Sequence, residues 1–145
     1  MAMWQRLWKW KVGAEPAHLT TGRWGEREAE AFMRGQGMKI LGRRVRVKPR
    51  GEIDLVAREG DTLVFIEVKT RASERMGRPF AAVNPRKRAQ LGRAAMGYMR
   101  SLPSYPRFFR FDVVEVIGVP AGDPAQVRHI RNAFTLPRSL RIPPV

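Results

Sequence analysis

Apolar residues recur at helical spacing in two segments of the chain, roughly residues 24–35 and 85–102. A spacing of three and four residues places such positions on one face, which predicts two amphipathic helices. Asn84 before Pro85 is a start signal for the second helix, and Gly35 and Gly37 are stop signals for the first. The two apolar faces consist of Ala29, Phe32, Met33, Leu91, Ala94, Ala95 and Tyr98.

Between and after these helices, β-branched and aromatic residues form strand-like runs. Four predicted strands cover residues 38–47, 52–58, 62–70 and 108–119, and residues 126–134 are a candidate fifth. A Gly-Asp pair at positions 60 and 61 is a turn signal that joins the second and third strands in a hairpin. This order of elements predicts an α/β domain with a central mixed sheet of four to five strands flanked by helices.

The two ends of the chain lack this pattern. Residues 1–20 are a basic and aromatic extension, and the proline-rich residues 136–145 predict a tail without regular structure. Residues 21–135 remain as one domain, a length that supports a single modest core. We find no run of the roughly 20 apolar residues needed to cross a membrane, and no signal-peptide pattern, so we expect a cytoplasmic protein.

Charge is unevenly balanced: 28 Lys and Arg residues stand against 13 Asp and Glu residues, a formal net charge of +15. Such a charge attracts polyanions, of which nucleic acid is the commonest and an acidic membrane surface is second. A basic scaffold or ribosome-associated protein would have a similar composition. The absence of cysteine excludes disulfides, thiolate nucleophiles and cysteine-ligated metal sites.

Four charged side chains interrupt the most strand-like part of the chain: Glu52 and Asp54 in one strand, and Glu67 and Lys69 in the next. A two-residue hairpin turn places Asp54 opposite Glu67 and Glu52 opposite Lys69. Because alternate residues of a strand share a face, all four side chains are predicted to converge on one patch. A shift of the register by one residue would scatter them.

Two carboxylates directly opposite each other repel, so this patch needs compensating positive charge. Lys69 supplies part of that charge. A hard divalent cation such as Mg²⁺ or Mn²⁺ would supply more, because it prefers carboxylate oxygen ligands. The alternative is a solvated hairpin face on which Glu52 and Lys69 form a surface ion pair worth about 0–1 kcal/mol. The spacing alone does not choose between these two interpretations.

A metal held by carboxylates beside a lysine, in a strongly basic protein, indicates phosphodiester hydrolysis. Bound metal lowers the pKa of a water molecule and offsets the charge of the phosphate. Lys69 would orient that water or stabilise the developing negative charge. His18 and His129 have no partner at a spacing typical of a catalytic triad, and we place His129 at a strand end, so we do not predict a histidine base.

Five segments together resemble a known nuclease superfamily. They are GEREAEAFMRGQGMKIL (25–41), GEIDLVAREGDTLVFIEVKTR (51–71), AVNPRKRAQLGRAAMGYM (82–99), RFDVVEV (110–116) and NAF (132–134). An Asp, a dozen residues and then Glu-x-Lys resembles the PD-(D/E)xK superfamily. The segments as a set are similar to the YraN-type bacterial proteins, a group similar to archaeal Holliday-junction resolvases. The resemblance implies a restriction-endonuclease-like α/β fold and a metal-dependent endonuclease acting on DNA.

The resemblance also implies roles for individual residues. Asp54, Glu67 and Glu26 would hold Mg²⁺ or Mn²⁺, and Lys69 would be the catalytic lysine. Lys87 falls where related nucleases often place a lysine or glutamine near the site. The alternative for Glu26 is a glutamate in the first turn of a helix, favoured by the helix dipole. The alternative for Lys87 is one more surface charge.

Two positions depart from these patterns. Ile53 stands where the superfamily motif has a proline, a change that is common in the resolvase-like branch. Arg43 and Arg44 stand where YraN-type sequences usually have Arg-Asn, so any role of that asparagine is missing here.

Basic residues flank the charged hairpin on both sides along the sequence. They predict a surface that binds a phosphate backbone without sequence preference and in a salt-dependent way, with DNA as the expected partner. The apolar and tryptophan content permits a homodimer. The residues predicted to bind nucleic acid are Arg43, Arg44, Arg46, Lys48, Arg50, Arg71, Arg86, Lys87 and Arg88.

Three functions are compatible with the sequence. The first is metal-dependent hydrolysis of DNA, with structure-specific cleavage as one form of it. The second is a nucleic-acid-binding module that keeps a nuclease fold and does not hydrolyse its ligand. The third is a basic scaffold protein, which predicts no metal binding at all. Duplex, junction, flap, single-stranded DNA and RNA all remain open as substrates.

Overall fold

The computed structural model describes residues 21–73 and 83–140. Within them, five strands form one sheet in the order β1-β2-β3-β4-β5. The α/β fold with a mixed sheet flanked by helices is confirmed, including the fifth strand, and it is consistent with a restriction-endonuclease-like fold. The elements are α1 (Thr21–Gly35), β1 (Lys39–Val47), β2 (Gly51–Glu59), β3 (Thr62–Arg71), α2 (Pro85–Arg100), β4 (Phe108–Ile117) and β5 (Gln126–Phe134).

The one parallel pair of the sheet, β3 with β4, sets the position of α2. All other neighbouring strands are antiparallel. Parallel neighbours need a crossover connection, and α2 lies within that crossover. The start signal read from the sequence is confirmed, because the Asn84 side chain accepts a hydrogen bond from the Lys87 amide at 2.9 Å and Pro85 opens the helix. The N-terminal turn of α2 is thereby held at a defined place.

Each face of the sheet packs against one helix. Alternate residues of a strand point to opposite faces, so the sheet supplies apolar side chains to both cores. The core on the α1 side contains Ala29, Met33, Leu55, Ala57, Val64, Ile66, Val114 and Val116. The core on the α2 side contains Leu63, Phe65, Leu91, Ala95, Tyr98, Phe111, Val113 and Phe134.

The β2–β3 hairpin has the predicted turn at residues 60–61 and the predicted register as far as Leu55↔Ile66. The pairing of these two strands ends there. β2 stays paired with β1 as far as Gly51, whereas β3 stays paired with β4 as far as Arg71. β2 and β3 therefore form a fork. They are paired from the turn to Leu55↔Ile66 and separate beyond that pair, where Asp54 and Glu67 lie.

The chain beyond β5 corrects one prediction. We expected no regular structure after residue 135, but Arg138–Leu140 form a short 3-10 helix. Leu136, Pro137 and Leu140 lie within 3.3 Å of the position that a side chain on Gly92 would occupy. These apolar side chains pack on α2 at Gly92, where the helix has no side chain of its own, and this burial accounts for the regular structure of the segment.

Some predictions fall on residues that the structure does not describe. They are the basic and aromatic extension at 1–20 and the end of the tail at 141–145; residues 74–82 are not described either. Across the described ranges, no helix combines the length and the apolar character that spanning a membrane requires.

Candidate active site

Asp54 lies in the fork between β2 and β3. Its Oδ2 accepts a hydrogen bond from the Val68 backbone amide at 2.8 Å. Backbone groups must be satisfied when they are buried, and here a side chain takes the place of the missing strand partner. The separation of the two strands thus makes room for the Asp54 carboxylate, and its hydrogen bond with Val68 still links β2 to β3 at this point.

Glu67 is the buried member of the acidic pair, with 5% of its surface exposed. It follows Phe65 on the α2 side of β3, because alternate residues share a face. Its Oε1 lies 3.3 Å from Lys69 Nζ and 3.7 Å from Lys87 Nζ. Its Oε2 is buried and has no hydrogen-bond partner among residues 21–73 and 83–140. Two ammonium groups therefore face one carboxylate oxygen, and the other oxygen is unsatisfied.

The surroundings of Asp54 disfavour its ionised form. Burial and the neighbouring Glu67 charge raise the pKa of Asp54 to about 7, against the opposing effect of the Val68 amide. Glu26 adds a smaller effect in the same upward direction. Near neutral pH the fork therefore holds two acidic groups, one of which is only partly ionised.

This arrangement fits a hard divalent cation, which binds carboxylate oxygens and would satisfy a buried Oε2 atom. The observed donor set is small. Among residues 21–73 and 83–140, no three or more histidine, aspartate or glutamate side chains form a group that could hold a metal ion. Asp54 and Glu67 are the protein ligands that the fork offers directly, and hard cations such as Mg²⁺ usually keep several water ligands.

Glu26 lies close enough to affect Asp54, but it is held by an arginine. Arg44 donates to it through Nε at 2.8 Å and through Nη2 at 3.4 Å. Because α1 begins at Thr21, the first turn contains no acidic residue, and the alternative that Glu26 is a first-turn glutamate is wrong. The preceding Gly25 lies against β3, where a Cβ atom would be 1.9 Å from Thr70 Oγ1. This close approach of α1 to β3 brings Glu26 toward the fork.

Glu52 does not join the acidic patch. Its Cα partner is Arg46 in β1, and Arg46 Nε lies 3.2 Å from Glu52 Oε2. The predicted pairing of Glu52 with Lys69 is therefore wrong, and so is the convergence of all four charged groups. The physical reason is the fork: the part of β2 that contains Glu52 pairs only with β1, because β2 pairs with β3 only from Leu55 to Glu59.

Carboxylates neutralise three of the arginines predicted to bind nucleic acid. Arg43 pairs with Glu30, including a bond from Nη2 at 2.8 Å. The two other arginines of β1, at positions 44 and 46, pair with Glu26 and Glu52. These pairs join β1 to α1 and to β2, so part of the predicted basic surface is locally balanced.

The remaining predicted binding residues occupy different environments. Arg88 points inward, donates to the Val83 carbonyl at 2.8 Å and lies over the Phe134 ring. Arg71 is partly buried at the end of β3. Lys87 reaches Glu67, as described above. Fully on the outside are Lys48, Arg50 and Arg86.

A second polar cluster, missed in the sequence, surrounds Asp112, which is fully buried. Its Oδ2 accepts from His129 Nε2 at 2.7 Å, and its Oδ1 accepts from Arg110 Nε and from the Asn132 amide, both at 2.9 Å. Burial alone would raise the pKa of Asp112, but the His129 and Arg110 contacts bring it below its ordinary value. This cluster is fully hydrogen-bonded and ties β4 to β5.

The position predicted for His129 is therefore wrong. It lies within β5 rather than at its end, and it has a carboxylate partner. Asp112 and His129 are 17 residues apart, and only the pairing of β4 with β5 brings them together. No spacing rule finds such a contact; the one available signal was a charged residue inside an apolar strand. The same signal marks Glu115, which is 3% exposed and is the Cα partner of Lys69.

The comparisons with known proteins agree on one family. The sequence model described as uncharacterised protein family UPF0102 matches residues 25–116, which include the fork and both lysines. A UPF0102 protein of Syntrophomonas wolfei is 44% identical over 113 residues, covering 78% of this chain and 96% of the relative. A UPF0102 protein of Symbiobacterium thermophilum is 46% identical over 113 residues, 78% of this chain and 94% of the relative. One from Syntrophotalea carbinolica is 45% identical over 116 residues, 80% and 92% of the two chains.

Proposed function

Since the chain belongs to the uncharacterised protein family UPF0102, the YraN family of the resemblance drawn from the sequence, we propose a function on the basis of its acidic fork. The protein is a metal-dependent endonuclease that hydrolyses phosphodiester bonds in DNA. One observation carries this proposal: within the described part of the chain, the buried Oε2 of Glu67 has no hydrogen-bond partner, and Glu67 adjoins Asp54, whose pKa is raised to about 7. Lys69 and Lys87 face only the Oε1 atom of Glu67, and a cation bound between the two carboxylates would offset their repulsion and satisfy Oε2.

Asp54 and Glu67 hold the cation in this proposal. Bound Mg²⁺ or Mn²⁺ would supply an acidified water molecule and positive charge for the phosphate. Glu26 lies next to the fork. It would bind the metal only after its ion pair with Arg44 breaks. The Val68 amide holds Asp54 in place, so the ligand geometry is set by the backbone before any ligand binds.

Lys69 and Lys87 provide the charge that the reacting phosphate needs. Lys69 is the better placed to orient the attacking water or to donate to a phosphate oxygen, because it lies beside Glu67 on the same face of β3. Lys87 comes from the first turn of α2, and its Nζ atom lies 3.7 Å from the same Glu67 oxygen. A phosphate entering the fork would meet two ammonium groups and one helix N-terminus, all favourable to an anion.

Cleavage of labelled DNA tests the proposal. Duplex, flap, single-stranded and four-way-junction substrates are incubated with Mn²⁺, Mg²⁺ or EDTA. Lys69→Ala is compared with Lys39→Ala, which removes the same charge from an exposed position on β1. Cleavage that requires metal and Lys69, and that survives in Lys39→Ala, is the expected result. Equal cleavage by both variants in a clean preparation would refute the assignment.

A second candidate is a nucleic-acid-binding module that does not hydrolyse its ligand. The observation in its favour is that Arg44 occupies Glu26, which leaves two carboxylates at the fork. This function predicts salt-sensitive DNA binding in EDTA, with no cleavage of any substrate in either metal. A cytoplasmic location and a homodimer are compatible with both candidates and belong to the proposal.

A further inference from the structure

The side of α2 next to the β1–β2 turn carries a line of exposed arginines, called the α2 stripe here. The helix contains no acidic residue, and its exposed arginines recur every seventh residue at 86, 93 and 100. Seven residues are close to two helical turns, so these side chains lie nearly in line along the helix. Gln90 and Gly97 fall on the same stripe between them.

These three arginines differ from the other cations near the fork. In the part of the chain that the structure describes, Arg86, Arg93 and Arg100 make no ion pair and no side-chain hydrogen bond. Lys87 and Arg88 lie on the same helix but are engaged by Glu67 and by the Val83 carbonyl. The stripe therefore presents uncompensated positive charge to solvent.

Arg50, from the turn between β1 and β2, extends this charge. A Cβ atom on Gly97 would lie 3.0 Å from Arg50 Cδ and 3.6 Å from its Nε. The Arg50 side chain thus crosses α2 at the one stripe position that has no side chain. Its guanidinium group adds a fourth cation to the stripe, at the level between Arg93 and Arg100.

The arginines of β1 have the opposite environment. Those at positions 43, 44 and 46 each pair with a carboxylate, from Glu30, Glu26 and Glu52 respectively. A phosphate that approached them would have to compete with a carboxylate already in place. The gain in binding free energy from such a site is small, because the charge is already locally balanced.

We propose that the α2 stripe, formed by Arg86, Arg93, Arg100 and Arg50, holds the phosphate backbone of DNA, and that β1 does not. This inference rests on the nucleic-acid substrate of the proposed function. The stripe starts at the helix turn that carries Lys87, so it leads away from the fork in one direction. From Arg86 to Arg100 it spans about 21 Å of helix axis, the axial length of about six phosphates of one DNA strand.

The experiment compares two double variants that remove the same charge. Arg93→Gln/Arg100→Gln removes two cations from the stripe. Arg46→Gln/Arg131→Gln removes two exposed arginines that pair with Glu52 and Glu59. Binding of a labelled duplex is measured by fluorescence anisotropy in EDTA over a range of KCl concentrations. Circular dichroism and melting temperature confirm that each variant is folded, and glutamine preserves helix propensity.

The stripe variant should lose about 0.9 of the log–log salt slope for each phosphate contact removed, or about 1.8 in total. The control variant should keep a slope close to that of the wild-type protein, because its two arginines pair with Glu52 and Glu59 and contact no phosphate in this proposal. Both variants lower the net charge by two, so the long-range effect of charge is the same in each. Equal changes of slope in the two variants would overturn the proposal, and so would wild-type binding that does not depend on salt.

The measurement separates this inference from the proposed hydrolysis, because EDTA removes the metal. Absence of cleavage together with a flatter slope in the stripe variant would refute hydrolysis and support the stripe. Metal-dependent cleavage together with an unchanged slope in the stripe variant would support hydrolysis and refute the stripe.

Discussion

Asp54 accepts a hydrogen bond from the backbone amide of Val68 at the point where their two strands separate. A carboxylate usually gains stability from such a bond in its ionised form. Here burial and the Glu67 charge outweigh the bond, and the pKa of Asp54 is raised rather than lowered. The ionised form of Asp54 is thus unfavourable in the folded protein, and the residues of the fork can be tested one by one.

Ionisation of Asp54 should destabilise the folded protein. Its pKa is about 7 when folded and near its ordinary value of 3.8 when unfolded. Between these values the folded state binds more protons, so the free energy of unfolding falls as pH rises, by up to about 1.4 kcal/mol per pH unit. Asp54→Asn should remove this decline, whereas Glu52→Gln should keep it. Urea unfolding at pH 5 and pH 8 measures both, and an identical pH dependence in Asp54→Asn and wild type would contradict the assignment.

Binding of Mn²⁺ should release a proton at pH 6 and almost none at pH 8. The reason is that a cation binds the ionised form of Asp54, and below its pKa the bound proton must leave. Isothermal titration in buffers of different ionisation enthalpy counts the protons. Glu67→Gln should abolish binding, and Glu52→Gln should leave it intact. Binding without proton release at pH 6 would place the metal elsewhere.

Lys69 and Lys87 should contribute unequally to cleavage. Lys69→Ala should lower the single-turnover rate at least about 100-fold, the scale expected when a donor to developing charge is lost. Lys87 is more exposed and lies farther from Glu67, so Lys87→Ala should cost about tenfold. Quenched-flow measurements with saturating enzyme give both rates. A larger loss for Lys87 would reverse the roles of the two lysines.

Asp112 should stabilise the fold without taking part in catalysis. Its pKa is lowered in the folded state, so its contribution is present above the ordinary value and is lost as pH falls through the folded value. Asp112→Asn should cost about 3 kcal/mol, because Arg110 and His129 then lose a buried negative partner. Asp123→Asn, at an exposed loop position, is the matched control. Thermal melts at pH 7 and pH 4 compare them, and equal melting temperatures would refute the role.

Two glycines of the same helix should respond oppositely to alanine. Gly25→Ala places a Cβ atom 1.9 Å from Thr70 Oγ1, so α1 must move away from β3, at a cost of about 1–3 kcal/mol. A Cβ atom on Gly35 would meet no other described atom within 4 Å, apart from its own helix backbone. Gly35→Ala should therefore stabilise the protein by about 0.5–1 kcal/mol. Chemical unfolding of both variants decides, and stabilisation by Gly25→Ala would show that the contact is not close.

The sequence predicted those parts of the site that depend on local chemistry. A Gly-Asp turn fixes the register next to it, so the partners of β2 and β3 were correct as far as Leu55↔Ile66. The fork was not predicted, because no local signal in the sequence marks the point at which β2 stops pairing with β3 and stays paired with β1 alone. Glu52 was misplaced for this reason.

Contacts between distant segments were also out of reach. Asp112 meets His129 only after β4 and β5 pair. Arg43 and Arg44 meet their carboxylates only after α1 docks on the sheet. Runs of basic residues looked alike along the chain. Their difference lies in which of them find an acidic partner, and that is a property of the folded molecule.

The parallel pairing of β3 with β4 has a consequence for the order of folding. The hairpin that brings Asp54 to β3 closes through a two-residue turn, a local step that takes microseconds in small hairpins. Joining β4, with α2 in the crossover, closes a much longer loop and is slower. Asp54 and Glu67 are therefore brought together early in folding, while the hairpin is still exposed to solvent. Lys87 reaches Glu67 later, when α2 docks on the sheet and the carboxylates lose their contact with water.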